Sequence, residues 1–165
     1  MQKQTMLMEE LENEDTQKDQ YLIFSVGHEY YGIEIRSVTE IIGIQNITRV
    51  PELPDYIKGI INLRGRIIPV MDVRLRFKKE ELDYNDRTCV IVVDFGDVTV
   101  GLIVDSVSEV LSIREQDIIP PPELTGAGRR FISGIGKVGN EVRLLINCDM
   151  LLNEEEAARI AAVSR

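Results

Sequence analysis

Tyr21-Leu-Ile-Phe-Ser-Val-Gly-His-Glu-Tyr-Tyr-Gly-Ile-Glu-Ile-Arg-Ser-Val-Thr-Glu-Ile-Ile-Gly-Ile44 returns without a gap 69 residues later. The second copy reads Val90-Ile-Val-Val-Asp-Phe-Gly-Asp-Val-Thr-Val-Gly-Leu-Ile-Val-Asp-Ser-Val-Ser-Glu-Val-Leu-Ser-Ile113. Six positions are identical: Gly27/Gly96, Gly32/Gly101, Ser37/Ser106, Val38/Val107, Glu40/Glu109 and Ile44/Ile113. Most of the others exchange one apolar residue for another. A repeat this clear outranks any local motif and predicts two related units of about 65–75 residues. Two similar but non-identical surfaces suit a chain that joins partners better than one that runs a reaction.

Each copy opens with β-rich runs broken at a glycine. Tyr21–Val26 and Tyr30–Ile35 flank Gly27-His28-Glu29; Cys89–Phe95 and Val98–Val104 flank Gly96-Asp97. These read as hairpins. Each copy then meets a proline break, Pro51-Glu-Leu-Pro54 or Pro120-Pro-Pro-Glu123, where the missing backbone donor marks a loop or sheet edge. Beyond it Tyr56–Ile60 matches Phe131–Ile135. Ile67–Asp72 is set against Leu144–Asp149 at a shift of 77, which puts roughly eight extra residues in the second copy's loops. Short strands broken by turn residues are the pattern of a small barrel or sandwich, at about five strands per copy. Asn153 followed by Glu154-Glu-Glu156 and Ala157–Val163 predicts an N-capped terminal helix.

With 165 residues, the chain can bury roughly 70% of its unfolded surface, whereas a lone unit of about 65 residues would be marginal. The halves are therefore expected to share an interface. The net charge of −9 weighs against nucleic acid and anionic lipid as direct partners. Residues 1–18 read as an acidic solvated arm. Cys89 and Cys148 sit in apolar runs, as small hydrophobes rather than ligands. Met1–Leu11 lacks the features of a secretory signal, and no apolar run reaches the ~20 residues of a membrane span, so a reducing cytosol is expected.

Residues that could carry chemistry are few. Gly134-Ile-Gly136-Lys-Val-Gly139 spells a dinucleotide loop but leads into a strand-like run, which favours a tight hairpin. His28 falls at a hairpin tip without a third group to hold it as a base. No carboxylate, histidine or cysteine set has metal-ligand spacing, and no cofactor is expected. Arg64 and Arg66 either share a strand face or flank Gly65 at a bend; they suit carboxylate partners or a solvated face equally. Ile35, Val38, Glu40 and Ile41, echoed at Val104, Val107, Glu109 and Val110, fit either barrel core or an apolar strip with a polar rim.

Several of these segments resemble the bacterial chemotaxis coupling proteins, the CheW family. They are Tyr31-Gly-Ile-Glu-Ile, Val38-Thr-Glu-Ile, Ile57-Lys-Gly-Ile-Ile-Asn-Leu-Arg-Gly, Ile68-Pro-Val-Met-Asp-Val-Arg, Val100-Gly-Leu-Ile-Val-Asp and Ile132-Ser-Gly-Ile-Gly. The resemblance runs from about Gln20 to Asn153. It implies an all-β fold of two tandem-related five-stranded SH3-like barrels sharing a core, with a short C-terminal helix. On this chain that gives an arm at 1–18, barrels at about 19–86 and 87–152 with strands possibly exchanged, and a helix at 153–165.

The resemblance further implies a non-catalytic cytoplasmic adaptor. Its partners would be the cytoplasmic tip of transmembrane chemoreceptors and the regulatory module of the histidine kinase CheA. Receptor contacts carry over to Ile35, Val38, Glu40, Gly59, Arg64 and Val107. Kinase contacts carry over to Ile47, Ile119, Glu123 and Leu124, with Ile119 departing from a basic residue common at that point. The rival expectation from the residues themselves is a small-ligand barrel with its site between the two units.

Overall fold

A computed structural model of the chain describes residues 17–121 and 131–163. Residues 1–16, Glu123, Leu124 and the last two positions of the expected helix lie outside the described residues. The strands run β1 (Gln20–Val26), β2 (Glu29–Glu34), β3 (Val38–Gly43), β4 (Ile57–Leu63), β5 (Arg66–Asp72), β6 (Cys89–Phe95), β7 (Val98–Val104), β8 (Ser106–Ser112), β9 (Ile118–Ile119), β10 (Ile132–Val138) and β11 (Glu141–Ile146). One short helix, α1 (Val73–Arg76), follows β5, and α2 (Glu154–Val163) closes the described chain.

The strands form two sheets, ordered β8-β1-β2-β11-β10-β9 and β3-β6-β7-β5-β4. Neither is drawn from one copy of the repeat. The β1–β2 hairpin of the first copy sits among strands of the second, and β6–β7 of the second sits among strands of the first. A boundary near residue 86 thus separates the copies in sequence but not the sheets in space. Each transplanted hairpin joins its host through a parallel contact, β2 with β11 and β7 with β5.

Those parallel seams explain the repeated glycines Gly32 and Gly101. Gly32 pairs with Leu145 and Gly101 with Val70. A Cβ on Gly101 would stand 2.6 Å from Val90 Cγ1 and 3.0 Å from Val70 Cγ1, and one on Gly32 3.0 Å from Leu145 Cδ2. The same pairs correct the alignment of the fifth strands. Val70 and Leu145 are equivalent, a shift of 75 rather than 77. The β4–β5 and β10–β11 hairpins both turn through two residues, Arg64-Gly65 and Gly139-Asn140, so no length is added there. Asp72 then corresponds to Asn147, and each caps the turn that follows it: Asp72 accepts from the Arg74 and Leu75 amides, Asn147 from that of Asp149.

Period-2 alternation places the core. Leu22 and Phe24 of β1, Tyr31 and Ile33 of β2, their counterparts Ile91, Val93, Val100 and Leu102, and also Val26 and Val104 all enter one buried cluster between the sheets. The intervening Val90, Val92 and Ile103 turn the other way, onto Ile61, Leu63, Ile68 and Val70 inside the five-stranded sheet. The β6–β7 hairpin is therefore buried on both faces, which is why its sequence reads as a nearly continuous apolar run. At the place of Ile68 the six-stranded sheet has Arg143, stacked over Tyr30 with its guanidinium carbon 4.7 Å from the ring centre.

The five-stranded sheet curls until its edges meet. Thr48, just beyond β3 at one edge, exchanges two backbone hydrogen bonds with Ile60 of β4 at the other. Lying flat, those edges would stand about 19 Å apart. The expected helix forms as α2 with a reciprocal cap: the Asn153 carboxamide oxygen accepts from the Glu156 amide (2.7 Å), and the Glu156 carboxylate accepts from the Asn153 amide (3.1 Å). Glu156 also pairs with Arg76, whose buried guanidinium lies over Tyr56 and Phe131 and donates to the Leu151 carbonyl. Ile160 of α2 is fully buried beneath it.

Candidate docking site

The third strand of each copy is a sheet edge with the same irregularity. In β3 the ladder to β6 slips between Val38 and Glu40; in β8 the ladder to β1 slips between Val107 and Glu109. Thr39 and Ser108 are the extra residues, and the Thr39 hydroxyl donates to the Val92 carbonyl. Bulges re-aim side chains and cluster beside functional surfaces. Here each one tilts a valine toward the shared core and leaves the next glutamate at the surface.

Of the residues expected at a receptor face, the structure divides core from surface. Ile35, Val38 and Val107 are half-buried and pack on the inter-sheet cluster. Gly59 is buried, and its role is steric: at φ +150° a Cβ would stand 2.1 Å from the Thr48 carbonyl oxygen. Gly134 of the second copy faces the same crowding from Ile118. Val104, which the repeat set beside the strip, is core. The apolar side chains open to solvent are instead Ile41 and Val110, 43% and 47% exposed at equivalent positions of the two copies.

Glu40 and Arg64 come together. The Arg64 guanidinium sits at the β4–β5 turn, with backbone φ +53°, and donates to the Glu40 carboxylate at 2.5 Å. The Asn62 side chain holds the turn by accepting from the Gly65 amide at 2.8 Å. The two arginines flank the bend rather than share a face. Arg66 turns to the Thr99 hydroxyl, which donates on to Asp94.

The expected kinase contacts Ile47 and Ile119 occupy adjacent places in the two halves. Ile47 precedes the Thr48 bridge to β4; Ile119 lies in β9, paired to β10. Ile47 is half-buried against the five-stranded core, whereas Ile119 is 40% exposed.

The framework beneath these edges is stiff. Arg74 makes two hydrogen bonds to Asp105 (2.8 and 2.7 Å), and Asp105 also accepts from the Gly27 amide, tying the β1–β2 turn to α1. The Tyr31 hydroxyl donates to Glu29, and that bond, with Lys79 nearby, holds the Glu29 carboxyl below its usual range. The ion-pair residues Asp105, Arg74 and Arg76 carry no sequence signal of their own. Their roles depend on partners from the other copy or from α2. His28 is exposed at the β1–β2 turn, and Gly134, Gly136 and Gly139 belong to the β10–β11 hairpin rather than a strand-to-helix loop. Among the described residues no helix is long and apolar enough to cross a membrane.

Comparison with known proteins agrees with this architecture. Residues 20–156 match the CheW-like domain family model. The chain is 40% identical to the chemotaxis protein CheW of Klebsiella aerogenes over 152 residues, 92% of each protein. It is 33% identical to the CheW of Bacillus subtilis, over 84% of this chain and 90% of that one. The crystal structure of the scaffolding protein TtCheW from Thermoanaerobacter tengcongensis superposes with a TM-score of 0.78 at 37% identity, covering 84% of this chain and 94% of that one. The chain belongs to the CheW family of chemotaxis scaffold proteins, non-catalytic adaptors built of two β-sheet units.

Proposed function

We propose that this protein couples the cytoplasmic tip of transmembrane chemoreceptors to the histidine kinase CheA, and is held at the inner face of the membrane through the receptors. The observation that carries the receptor side is the Glu40–Arg64 pair on the β3 edge strand, whose other face exposes Ile41. An edge strand with a fixed charge pair on one face and an exposed apolar side chain on the other suits a helix laid across that edge. Ile35, Val38 and Val107 support that edge from beneath, Gly59 lets the β4–β5 hairpin close on it, and Arg64 with Glu40 sets register.

The kinase module would engage the other surface, around Ile47 and Ile119 and onward to Glu123 and Leu124. Receptor states that bind the assembly unequally then bias the kinase by their difference in affinity, typically ~1–3 kcal/mol. A stiff two-faced body is sufficient for this.

The test is an NMR titration of labelled protein, first with a receptor-tip fragment and then with the kinase regulatory module. Shifts at Glu40, Ile41 and Arg64 with the first, and at Ile47 and Ile119 with the second, are expected. A folded sample that responds to neither returns the chain to the small-ligand alternative.

A further inference from the structure

The two parallel seams are not equally closed. Between β5 and β7 the pairing runs through Val70–Gly101, Met71–Leu102 and Asp72–Ile103. Between β11 and β2 it stops at Leu145–Gly32, so Asn147 and Glu34, the equivalents of Asp72 and Ile103, do not pair. A cleft lies at the end of each seam. The first, of about 200 Å³, is spanned by the protein's own groups: Arg74 donates twice to Asp105, and the Tyr84 hydroxyl donates to Asp72. The second, of about 300 Å³, has Tyr21, Glu34, Ser37, Ser133, Asn147 and Asp149 as its polar lining.

Exchanges at equivalent positions reverse the chemistry of the second cleft. Asp149 stands where the first copy has Arg74, and exposed Glu34 where it has buried Ile103. Tyr21, opposite Glu34 in the ladder, replaces Val90, opposite Ile103. Arg36 stands for Asp105, but it turns to Glu34 at 3.2 Å and does not line the cleft. Asp149 is thus left without an ion pair among the described residues. Burial first, then Glu34 and Asp19, push the Tyr21 hydroxyl up from its ordinary 10.0, so it keeps its proton beside the carboxylates.

We propose that the second cleft binds a small organic cation, an alkyl ammonium or guanidinium compound, whose charge Asp149 and Glu34 neutralise. The first copy supplies the template: a guanidinium tethered to the chain fills its cleft and meets a carboxylate. In the second copy the tethered cation is gone and carboxylates line the space. Hydrogen bonds from a cation to a carboxylate are the strong ones. The Ser133 hydroxyl donates to the Leu145 carbonyl and is left to accept from the ligand, as the Tyr21 and Ser37 hydroxyls can. The volume is at the lower end of the roughly 300–1,000 Å³ of ligand pockets, which sets the ligand's size. None of these residues belongs to the docking faces proposed above, so the site stands or falls separately from them.

The experiment titrates the labelled full-length protein by NMR with agmatine and with putrescine, using 1,4-butanediol as the uncharged control. Wild type is compared with Asp149→Asn, Glu34→Gln, Arg36→Ala and the remote control Asp97→Asn. All four residues are exposed, so circular dichroism should find every variant folded. The proposal expects saturable shifts at Tyr21, Ser133, Asn147 and Asp149 with at least one of the two cations and none with the diol. Affinity should fall at least fivefold in Asp149→Asn and in Glu34→Gln. It should be kept in Asp97→Asn, and kept or raised in Arg36→Ala, where Glu34 loses its internal partner. No saturable shift with either cation, shifts spread evenly over the acidic surface, or wild-type affinity in both carboxylate variants overturns the site.

Discussion

Arg64 reaches Glu40 across the closure of the five-stranded sheet, joining the turn between β4 and β5 to the strand at the opposite edge. Three strands separate β3 from β4 in the sheet, so this contact exists only because the sheet curls. The Arg64 side chain is 70% exposed, and the pair is screened by solvent. It orders the surface rather than holding the fold.

Arg64→Ala should accordingly change stability by less than about 1 kcal/mol, the usual worth of an exposed pair. Docking of a receptor-tip fragment should weaken several-fold, because Glu40 is then left free to move. Denaturant melts and calorimetry of the same sample separate the two effects; a large stability loss would make the pair structural.

Ile41→Ser should leave the melting temperature nearly unchanged and reduce receptor-tip binding, since this side chain is exposed. Val38→Asp should instead lower stability markedly, because Val38 packs on the inter-sheet cluster. Equal destabilisation by the two substitutions would contradict the division into core and surface drawn here.

Gly59→Ala should cost more than about 2 kcal/mol, through the contact with the Thr48 carbonyl and the positive φ. Gly65→Ala, at a turn where nothing stands within 4 Å of the added carbon, should cost less. A urea midpoint for each variant checks the order.

Arg76→Met should destabilise by about 1–3 kcal/mol, since it removes the cation paired with the half-buried Glu156 carboxylate and the donor to the Leu151 carbonyl. Loosening should begin at α2, visible as faster amide exchange around Ile160 than around Val100. Uniform exchange across both would place Arg76 outside any role specific to the helix.

Stability should fall as the pH rises above 9. Burial, with Asp149 nearby, pushes the Cys148 thiol from 9.0 up to about 12, so the unfolded chain ionises first and is favoured progressively through that window. Burial raises Tyr31 and Tyr84 above their ordinary 10.0 as well, and they add to the loss from that point upward. Urea midpoints at pH 8, 9.5 and 10.5 should decline, and Cys148→Ala should flatten the first interval. An unchanged slope in that variant would remove the thiol from the account.

Much of this was legible in the residues. Gly27-His28 and Gly96-Asp97 announced their hairpins, Asn153 with Glu156 announced the cap of α2, and Gly134 to Gly139 read correctly as a hairpin because a strand followed. The docking strip was legible only as a set. The bulge at Thr39, which no local pattern reveals, puts Val38 and Ile41 on one face of β3 and Glu40 on the other. The fifth-strand shift was misjudged because Asp72 and Asp149 match by identity, whereas the cap role equivalent to Asp72 belongs to Asn147.

The sequence by itself determined the units: the two copies, their hairpins, the faces set by period-2 alternation, and the glycines at the crowded seams. These are local properties, written in residue type and spacing. Tertiary structure alone decided that each hairpin crosses into the other copy's sheet and that Glu40 meets Arg64. Strand pairing joins residues far apart in the chain, and the two copies offer nearly the same apolar edges. Only packing of the whole, through the Gly32–Leu145 and Gly101–Val70 seams, selects one arrangement.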